Sequence, residues 1–300
     1  MLNKNKTKEK MGVLGWVILV CLILYASMMA ALLIFGLFSS VNTRSVYNHK
    51  IYFPDGNEWV WAFSNYANVF ANFIIDNELL YDGTIGYANF YSMAINSIAV
   101  AGGGALVSVI SYFMVAYVTA KFPYFFSKII YTFVIVTMVI PIIGSTPSNI
   151  VILQSLGLYQ TLWGEYIMKF NFLGMYFLVF YAIFQGISND YAEAAQLDGA
   201  SEFAIMTRIM LPLVMPTFST IFLIRFIESW NDYNYVLLYL KSYPTLSYGV
   251  YRMSMEKVDG MDHATMRIAS SLLVAIPILT LFIIFRNKIM GNVTMGGVKE

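Results

Sequence analysis

Residues Glu193 to Pro212 read EAAQLDGASEFAIMTRIMLP, a polar stretch between two apolar segments that are each long enough to enter a bilayer. Asp190 and Glu193 are spaced as in a capping box, which predicts a helix capped by Asp190. Gly199 suits the left-handed residue that ends a helix, and Ser201 suits the cap of a second helix. The stretch therefore predicts two short helices joined by a tight turn, with its final proline in the first turn of the next helix.

The composition is that of a membrane protein. Of the 300 residues, 59% are hydrophobic and only 12% are charged, and the mean hydropathy is +0.66. These values indicate a polytopic chain embedded in a lipid bilayer. The net charge of +1, together with the lack of a basic run with interleaved aromatic residues, argues against a nucleic-acid partner.

Cysteine and histidine give no sign of a disulfide or a metal site. Cys21 is the only cysteine, so an internal disulfide is excluded. Its position inside an apolar segment predicts a small buried packing residue rather than a ligand or a nucleophile. Neither of the two histidines has a metal-ligating neighbour in the sequence, and no metal site is predicted.

Six apolar segments predict an all-α bundle of about six transmembrane helices. They lie within 11–44 and at about 91–120, 126–143, 170–187, 212–235 and 268–285. A lysine-rich N-terminus precedes the first segment, which predicts an uncleaved anchor with cytoplasmic lysines; a cleaved signal peptide is the alternative. Lys121 and Lys128 then fall on the cytoplasmic side, as the positive-inside rule requires.

These segments predict one transmembrane domain with short cytoplasmic ends. The expected divisions are an N-terminus at 1–11, a permease domain at 12–290 and a C-terminal tail at 291–300, with external loops at 41–85 and 241–266 and a cytoplasmic elbow at 189–212. Residues 148–165 interrupt the apolar pattern with glutamine, glycine and tyrosine. Their pattern favours a short helix at the outer surface over a further span.

The first external loop carries several aromatic side chains, among them Trp59, Trp61, Tyr66 and Phe70, and more acidic than basic residues. Two interpretations stay open for them. They form a docking surface for an extracytoplasmic partner, or they lie at the membrane interface, where tryptophan and tyrosine are enriched.

The second apolar segment has a face of small residues that includes the triplet Gly102, Gly103 and Gly104. Small residues spaced four apart let helix backbones approach closely in lipid, which predicts a packing surface. The triplet lacks the Lys-Ser/Thr of a nucleotide-binding loop, so a phosphate site is not expected.

The fifth apolar segment carries charges. Arg225, Glu228 and Asp232 are spaced i, i+3 and i+7, on one predicted helical face, with Trp230 and Asn231 beside them. Ionisable residues within a span usually face a bundle interior or a wet cavity, so this face is the predicted wall of a translocation path. The alternative is that Arg225 and Glu228 form a structural pair and that Asp232 has reached the outer interface.

The opening stretch resembles the EAA loop of permease subunits of binding-protein-dependent ABC importers. Every fixed position of that pattern is filled, by Glu193, Ala194, Ala195, Gly199, Ile209, Leu211 and Pro212. The resemblance implies that these residues, with Asp198 in the turn, contact an ATPase subunit.

Two shorter signatures resemble the carbohydrate branch of the same family. Trp230, Asn231 and Asp232 are similar to its WND signature, and the ending Gly296 to Lys299 is similar to the GGVK of the maltose-type G subunit. The family implies six spans with both termini in the cytoplasm of a bacterial cell, in the inner membrane. It also implies a sister permease subunit, two ATPase subunits, an extracytoplasmic solute-binding protein and a sugar substrate, which we expect to be an oligosaccharide. By position, 243–261 would enter the binding protein and 294–300 would approach the ATPases.

The chain has no Walker-type GxxxxGK[ST] and no constellation for bond-making chemistry. It is therefore expected to be a transport subunit rather than an enzyme, with no cofactor of its own and with ATP used by its partners. The alternatives are an importer permease for a solute other than a sugar, an ion-coupled secondary transporter, a membrane enzyme and a non-transporting scaffold. Co-purification with an ATPase would separate the importer from the last three.

Overall fold

The computed structural model describes residues 12–43, 47, 61–79, 84–140, 144–255 and 263–293. The lysine-rich N-terminus, Trp59 and the glycine-rich ending lie outside these residues, as does part of each predicted external loop. The described chain is almost entirely helical, which confirms the predicted all-α membrane bundle.

The elements follow one another in this order: α1 (Val13–Ser40), α2 (Ser64–Asn72), β1 (Ile74–Leu79), β2 (Ile85–Asn89), α3 (Phe90–Ser97), a π-helical segment (Ile98–Gly103), α4 (Gly104–Lys121), α5 (Phe125–Val139), α6 (Ser145–Ser155), α7 (Leu162–Lys169), α8 (Met175–Gly186), α9 (Asp190–Leu197), α10 (Glu202–Ile205), a second π-helical segment (Met206–Met210), α11 (Leu211–Asn231), α12 (Tyr233–Tyr239), α13 (Leu246–Met255) and α14 (Ala264–Val293).

Four helices among the described residues are long and apolar enough to cross a membrane. They are Val13–Ser40, Phe90–Lys121, Glu202–Asn231 and Ala264–Phe285. Two shorter apolar helices, α5 and α8, occupy the third and fourth predicted segments. Every predicted span therefore has an apolar helix, although the two in the middle of the chain are shorter than the sequence suggested.

Two spans differ from their predicted bounds for local reasons. The fourth was expected from residue 170, but α8 begins at Met175, because 170–174 form an irregular segment in which the Leu173 N–H donates to Asn171 Oδ1 at 2.9 Å. The fifth was expected to reach residue 235, but α11 ends at Asn231 and α12 begins at Tyr233. The ambiguous stretch 148–165 contains parts of two short helices, α6 and α7, neither of which is long enough to span.

One small sheet was not expected. Strands β1 and β2 pair antiparallel in the register Ile74 with Asn89 and Leu79 with Ile85. Ile75 and Ala88 are buried, together with Phe73 at the strand's start. The part of the first external loop next to the second span is thus a folded hairpin rather than an irregular loop.

Helix α2 is tied to the end of the first span. The Asn65 side chain donates to the Ser40 carbonyl oxygen at 2.8 Å, and the hydroxyls of Tyr66 and Ser40 lie 2.7 Å apart. Phe70 packs edge-on against Phe90, with the ring centroids 4.6 Å apart. These loop aromatics therefore contribute to packing between the outer ends of the spans.

The bundle has two hydrophobic cores, which we call outer and inner after the orientation predicted from the sequence. The outer core joins α2, the hairpin, α11, α13 and α14 around Phe73, Met93 and Tyr248. The inner core joins α4, α8 and the elbow around Phe113, Phe180 and Phe184. Helix α1 stands at the periphery with nearly all its side chains exposed, and this includes Cys21, which was expected to be buried. In a bilayer this exposed apolar surface faces lipid.

Candidate functional site

The first helix of the elbow begins at Asp190, but the predicted capping box is absent. Asn189 precedes the helix in the right-handed α region and makes no side-chain cap. The Asp190 N–H instead donates to Ser188 Oγ at 3.2 Å, and the Glu193 N–H donates to the Asn189 carbonyl at 3.0 Å. The carboxylate of Glu193, which the capping box would have used locally, is exposed.

The turn of the elbow matches its prediction. Gly199 has a φ of +83°, a backbone conformation that residues with a Cβ adopt only with strain. Ser201 caps the next helix by accepting from the Ala204 N–H at 3.3 Å. The Gln196 side chain donates to Glu202 Oε1 at 2.7 Å, which joins the two helices across the turn.

Lys121 fixes the start of the elbow from another helix. Its ammonium donates to the Ile187 carbonyl oxygen at 2.6 Å and to Asn189 Oδ1 at 2.9 Å. Next to this contact, the Gln185 side chain donates to the carbonyl oxygen of Ala120, the residue before Lys121, at 3.1 Å. The end of α4 is thereby joined to the segment that leads into α9. The sequence showed Lys121 only as a charge marking the cytoplasmic side.

The elbow has a buried side and an exposed side. Ala195, Ile205, Met206 and Met210 are buried in the inner core, and Ile209 and Leu211 are partly buried against it. Glu193, Ala194, Asp198, Gly199 and Pro212 are exposed. Three large apolar side chains share this exposure: Tyr191 at 55%, Leu197 at 89% and Phe203 at 68%. The predicted coupling residues thus divide into Ala195, Ile209 and Leu211, which hold the elbow to the bundle, and an exposed set.

The second elbow helix continues into the membrane without a break. Helix α10, the π-helical segment at 206–210 and α11 form a single helical element, Glu202–Asn231. The π-helical segment ends immediately before Leu211 and Pro212, where a proline removes a backbone donor and clashes with the preceding turn. The second elbow helix and the fifth span are therefore one helix, and Pro212 lies within it.

Arg225 and Glu228 form the ion pair that their spacing predicts. Arg225 Nη1 lies 2.6 Å from Glu228 Oε2, and the Tyr176 hydroxyl lies 3.5 Å from Glu228 Oε1. Arg225 Nε is buried and has no hydrogen-bond partner among the described residues. The Glu228 side chain is about half exposed, 48% against 26% for Arg225. The pair is thus partly open on the glutamate side.

The three WND residues point in three directions. Trp230 is buried and donates its indole N–H to the Val274 carbonyl of α14 at 3.1 Å. Asn231 is exposed. Asp232 lies between α11 and α12 and accepts from the Tyr235 N–H at 3.0 Å, so it caps α12. The predicted single face of Arg225, Glu228 and Asp232 is therefore wrong, because the helix ends before Asp232.

One face of α11, different from the predicted one, is exposed. Thr220, Ile224, Glu228 and Asn231 recur at helical spacing and are exposed or partly exposed. We call these four residues the α11 stripe. It runs from the middle of α11 to its C-terminal end, and it shares only Glu228 with the predicted face, which also held Arg225 and Asp232.

A buried carboxylate lies close to this face. Glu165 of α7 is only 2% exposed, and neither of its carboxylate oxygens has a hydrogen-bond partner among the described residues. Lys169 Nζ is 4.0 Å from Glu165 Oε1, and the same ammonium lies over the Tyr235 ring, 4.3 Å from its centroid. Glu165 was not among the predicted site residues, because no recognisable motif surrounds it in the sequence.

Helix α7 rests on the glycine triplet. A Cβ at Gly103 would lie 2.5 Å from the Tyr166 hydroxyl, and one at Gly104 would lie 2.9 Å from Glu165 Oε1. The Tyr166 hydroxyl donates to the Ala99 carbonyl oxygen at 3.0 Å, in the π-helical part of the same span. The predicted close packing on these small residues is confirmed, and its partner is α7. Among the described residues, no group of His, Cys, Asp and Glu is arranged to hold a metal ion.

Comparisons with known proteins agree with this arrangement. The chain is 24% identical over 281 residues to the diacetylchitobiose uptake system permease protein NgcG of Streptomyces coelicolor, covering 92% of this chain and 86% of that protein. It is 25% identical over 237 residues to the trehalose/maltose transport system permease protein MalG of Thermococcus litoralis, covering 78% and 82% of the two chains.

A solved structure has the same fold. A chain from a bacterial ABC transporter involved in the import of the acidic polysaccharide alginate superposes with a TM-score of 0.73 at 20% identity, covering 94% of this chain and 99% of that one. The model of the family described as "binding-protein-dependent transport system inner membrane component" matches residues 113–287, which is more than half of the chain and includes the elbow and the α11 stripe. This chain belongs to that family of multi-pass membrane proteins.

Proposed function

We propose that this chain is the permease subunit of an ABC importer for sugars, specifically oligosaccharides, and that it forms half of the translocation path. Two observations support a sugar. The chain is similar over most of its length to permeases named for diacetylchitobiose and for trehalose and maltose. It also carries Trp230, Asn231 and Asp232 at the outer end of the span that leads from the elbow.

One observation carries the coupling part of the proposal: the second elbow helix and the α11 stripe belong to the same helical element, Glu202–Asn231. At about 1.5 Å per residue, such an element is roughly 45 Å long, enough to cross the bilayer. The Gly199 turn joins the first elbow helix to this element, and a displacement of the second elbow helix is then carried by a helix backbone to Glu228 and Asn231.

The exposed side of the elbow is suited to a protein partner. Leu197 and Phe203 offer apolar area, and the nearby Glu193 carboxylate is exposed for pairing with a basic group. Exposed apolar side chains rimmed by polar ones are typical of interaction sites. We assign this surface, with Ala194, Asp198 and Pro212, to the contact with an ATPase subunit.

The proposed assembly contains this chain, a sister permease subunit, two ATPase subunits and an extracytoplasmic solute-binding protein. The elbow and both termini would lie in the cytoplasm. When ATP draws the ATPases together, the elbows would move and the spans would rock towards an outward-facing state. ATP and the loaded binding protein would act by favouring that state over the inward-facing one.

Two substitutions in the elbow test this function in the assembled importer. Glu193→Lys reverses an exposed charge, and Gly199→Val places a β-branched residue at a φ of +83°. Both variants should remain in the membrane with the sister subunit, but should lose ATP-driven oligosaccharide uptake by proteoliposomes. Gly199→Asn is the matched control for the turn, because asparagine tolerates the left-handed region.

Lys128→Glu controls for charge reversal at an exposed position outside the elbow. Full uptake by both elbow variants would contradict the coupling role. A tag on Glu300 that is reached only from outside the cell would contradict the proposed orientation. A wild-type complex that assembles with an ATPase but takes up no oligosaccharide would contradict the proposal that the substrate is a sugar.

A further inference from the structure

A cavity with both apolar and polar lining opens at the Asn231 end of the α11 stripe, between α11, α12, α13 and α14. Its volume is about 370 Å³, within the range of small-ligand pockets. The described residues that line it include Asn231, Tyr233, Ser247, Tyr251, Ser254 and Ser271. None of the described lining residues is charged.

The WND residues build one wall of this cavity. Trp230 holds the end of α11 to the Val274 carbonyl, and Val274 is itself part of the lining. Asp232 ends one helix and caps the next, so Tyr233 follows at the first position of α12. Asn231 lies between these two anchors and faces the cavity. The buried tryptophan and the capping aspartate thus position Asn231 and Tyr233.

Three polar groups of the cavity offer hydrogen-bond acceptors. The hydroxyls of Ser254 and Ser271 donate to the Val250 and Arg267 carbonyls of their own helices, at 2.9 and 2.8 Å. The Asn231 amide nitrogen donates to the Ile227 carbonyl at 2.9 Å. Each group has used a donor within the protein and keeps oxygen lone pairs for a ligand. A ligand rich in hydroxyl donors matches this lining.

Aromatic rings complete the wall. Tyr233 and Tyr251 stack with their centroids 4.5 Å apart and their planes 14° from parallel. Tyr251 also stacks on Tyr248, with the centroids 6.4 Å apart, so it lies between two rings and supports Tyr233. The rings therefore form a rigid apolar surface beside the acceptors. The face of a tyrosine ring is electron-rich and attracts polarised C–H groups. A pyranose or furanose ring has C–H groups on its faces and hydroxyls at its edge, so it can satisfy both parts of the lining.

We propose that this cavity binds one uncharged sugar unit of the transported oligosaccharide, with Asn231 and the serine oxygens accepting from its hydroxyls and with Tyr233, supported by Tyr251, packing on its ring. The proposal rests on the sugar-importer function proposed above. It goes further in placing a sugar site in this chain, next to the extracytoplasmic end of the fifth span. The described part of the lining carries no charge, so it favours a neutral sugar over a uronic acid, whose carboxylate would lose its hydration without gaining a cationic partner there.

The test uses the assembled complex of permeases and ATPases in nanodiscs, without the binding protein. Binding of maltotriose, arabinotriose, diacetylchitobiose and an acidic alginate trisaccharide is measured by equilibrium dialysis with radiolabelled sugars. One of the neutral sugars should bind. Tyr251→Ala removes one ring, and Asn231→Leu removes one hydrogen-bonding group. Each substitution should therefore weaken sugar binding by about tenfold. Tyr251→Phe should retain it within about twofold, because the ring remains.

Tyr131→Ala is the matched control. Tyr131 stacks on Tyr181 at 4.7 Å in the inner part of the bundle, so its loss removes a comparable ring pair far from the cavity and should not change sugar binding. The double variant Ser254→Ala/Ser271→Ala keeps the test valid if Tyr251→Ala fails to assemble. The Ser254 and Ser271 hydroxyls bond, among the described residues, to carbonyls of their own helices. Their loss should therefore weaken sugar binding several-fold without unfolding the protein.

Three results would overturn the proposal: unchanged affinity in the assembled variants, alginate binding as tight as the neutral sugar, or no binding by a wild-type complex that still transports the sugar with its binding protein. In each case the importer function would stand. Only a wild-type complex that neither binds nor transports any sugar would remove the proposed function as well.

Discussion

The ammonium of Lys121 lies 2.6 Å from the carbonyl oxygen of Ile187, at the cytoplasmic end of the second span in the proposed orientation. Together with its bond to Asn189 Oδ1, this contact fixes the backbone directly before the first elbow helix. Hydrogen bonds from a charged donor are about twice as strong as neutral ones. The elbow is therefore attached to the bundle at its start by Lys121 and at its end by the continuous helix.

Replacing Lys121 by methionine should loosen the elbow. Two charge-assisted hydrogen bonds are lost while the length of the side chain is kept, at a cost of about 1.5–3 kcal/mol for each bond. Hydrogen exchange should accelerate in α9, and ATP-driven uptake should fall several-fold in a complex that still assembles. Lys128→Met, at an exposed position, is the control. Normal uptake with unchanged exchange in α9 would show that Lys121 does not hold the elbow.

Alanine substitutions at Gly103 and at Gly102 together test the packing of α7 on the glycine triplet, and Gly102 serves as the matched control. A methyl group at Gly103 would meet the Tyr166 hydroxyl at 2.5 Å, whereas one at Gly102 would meet nothing closer than Phe226 Cε2 at 4.0 Å. Moving Tyr166 aside breaks its bond to Ala99. Gly103→Ala should therefore destabilise the complex by about 1–3 kcal/mol, and Gly102→Ala should be neutral or slightly stabilising.

The midpoint of thermal unfolding in detergent measures both glycine variants. Gly103→Ala combined with Tyr166→Ala should recover part of the loss, because the obstructing ring is gone. Equal midpoints for the two single variants would contradict the packing of α7 on the triplet.

Glu165→Gln should lower the thermal stability of the complex. Lys169 Nζ lies 4.0 Å from Glu165 Oε1, and glutamine leaves this largely buried ammonium without its anionic partner. Removing one partner of a buried ion pair costs about 3 kcal/mol or more. We expect a loss of that size by differential scanning fluorimetry, and no change for the exposed control Glu193→Gln. Unchanged or raised stability would mean that the Tyr235 ring alone is a sufficient partner for Lys169.

A double-mutant cycle on Arg225 and Glu228 decides between the two roles that the sequence left open. Exposed ion pairs three or four residues apart on a helix contribute about 0.3–0.5 kcal/mol, so the stability of the bundle should depend little on this one. We expect Arg225→Met and Glu228→Gln each to slow uptake about tenfold or more, with no recovery in the double variant. Recovery in the double variant, measured as initial uptake rate, would instead identify a purely structural pair.

Properties that depend on neighbouring residues were predictable from the sequence. The apolar segments located every span, because a bilayer requires an apolar surface of a certain length. Gly199 and Ser201 located the turn of the elbow, because a positive φ and a helix cap are local requirements. The bounds of the fourth and fifth spans were less predictable. Helix α8 starts late because of the irregular segment around Asn171, and α11 ends one residue before Asp232.

The sequence by itself determined a membrane bundle with an exposed, turn-containing elbow, because hydropathy and turn chemistry act within a few residues. Only the tertiary structure decided how that elbow is held and which side chains meet at the outer end. Lys121 and Ile187 are 66 residues apart, and Trp230 and Val274 are 44 residues apart. Their contacts depend on how helices pack, which no local pattern specifies. The same packing separates the consecutive letters of WND into an anchor, a cavity residue and a cap.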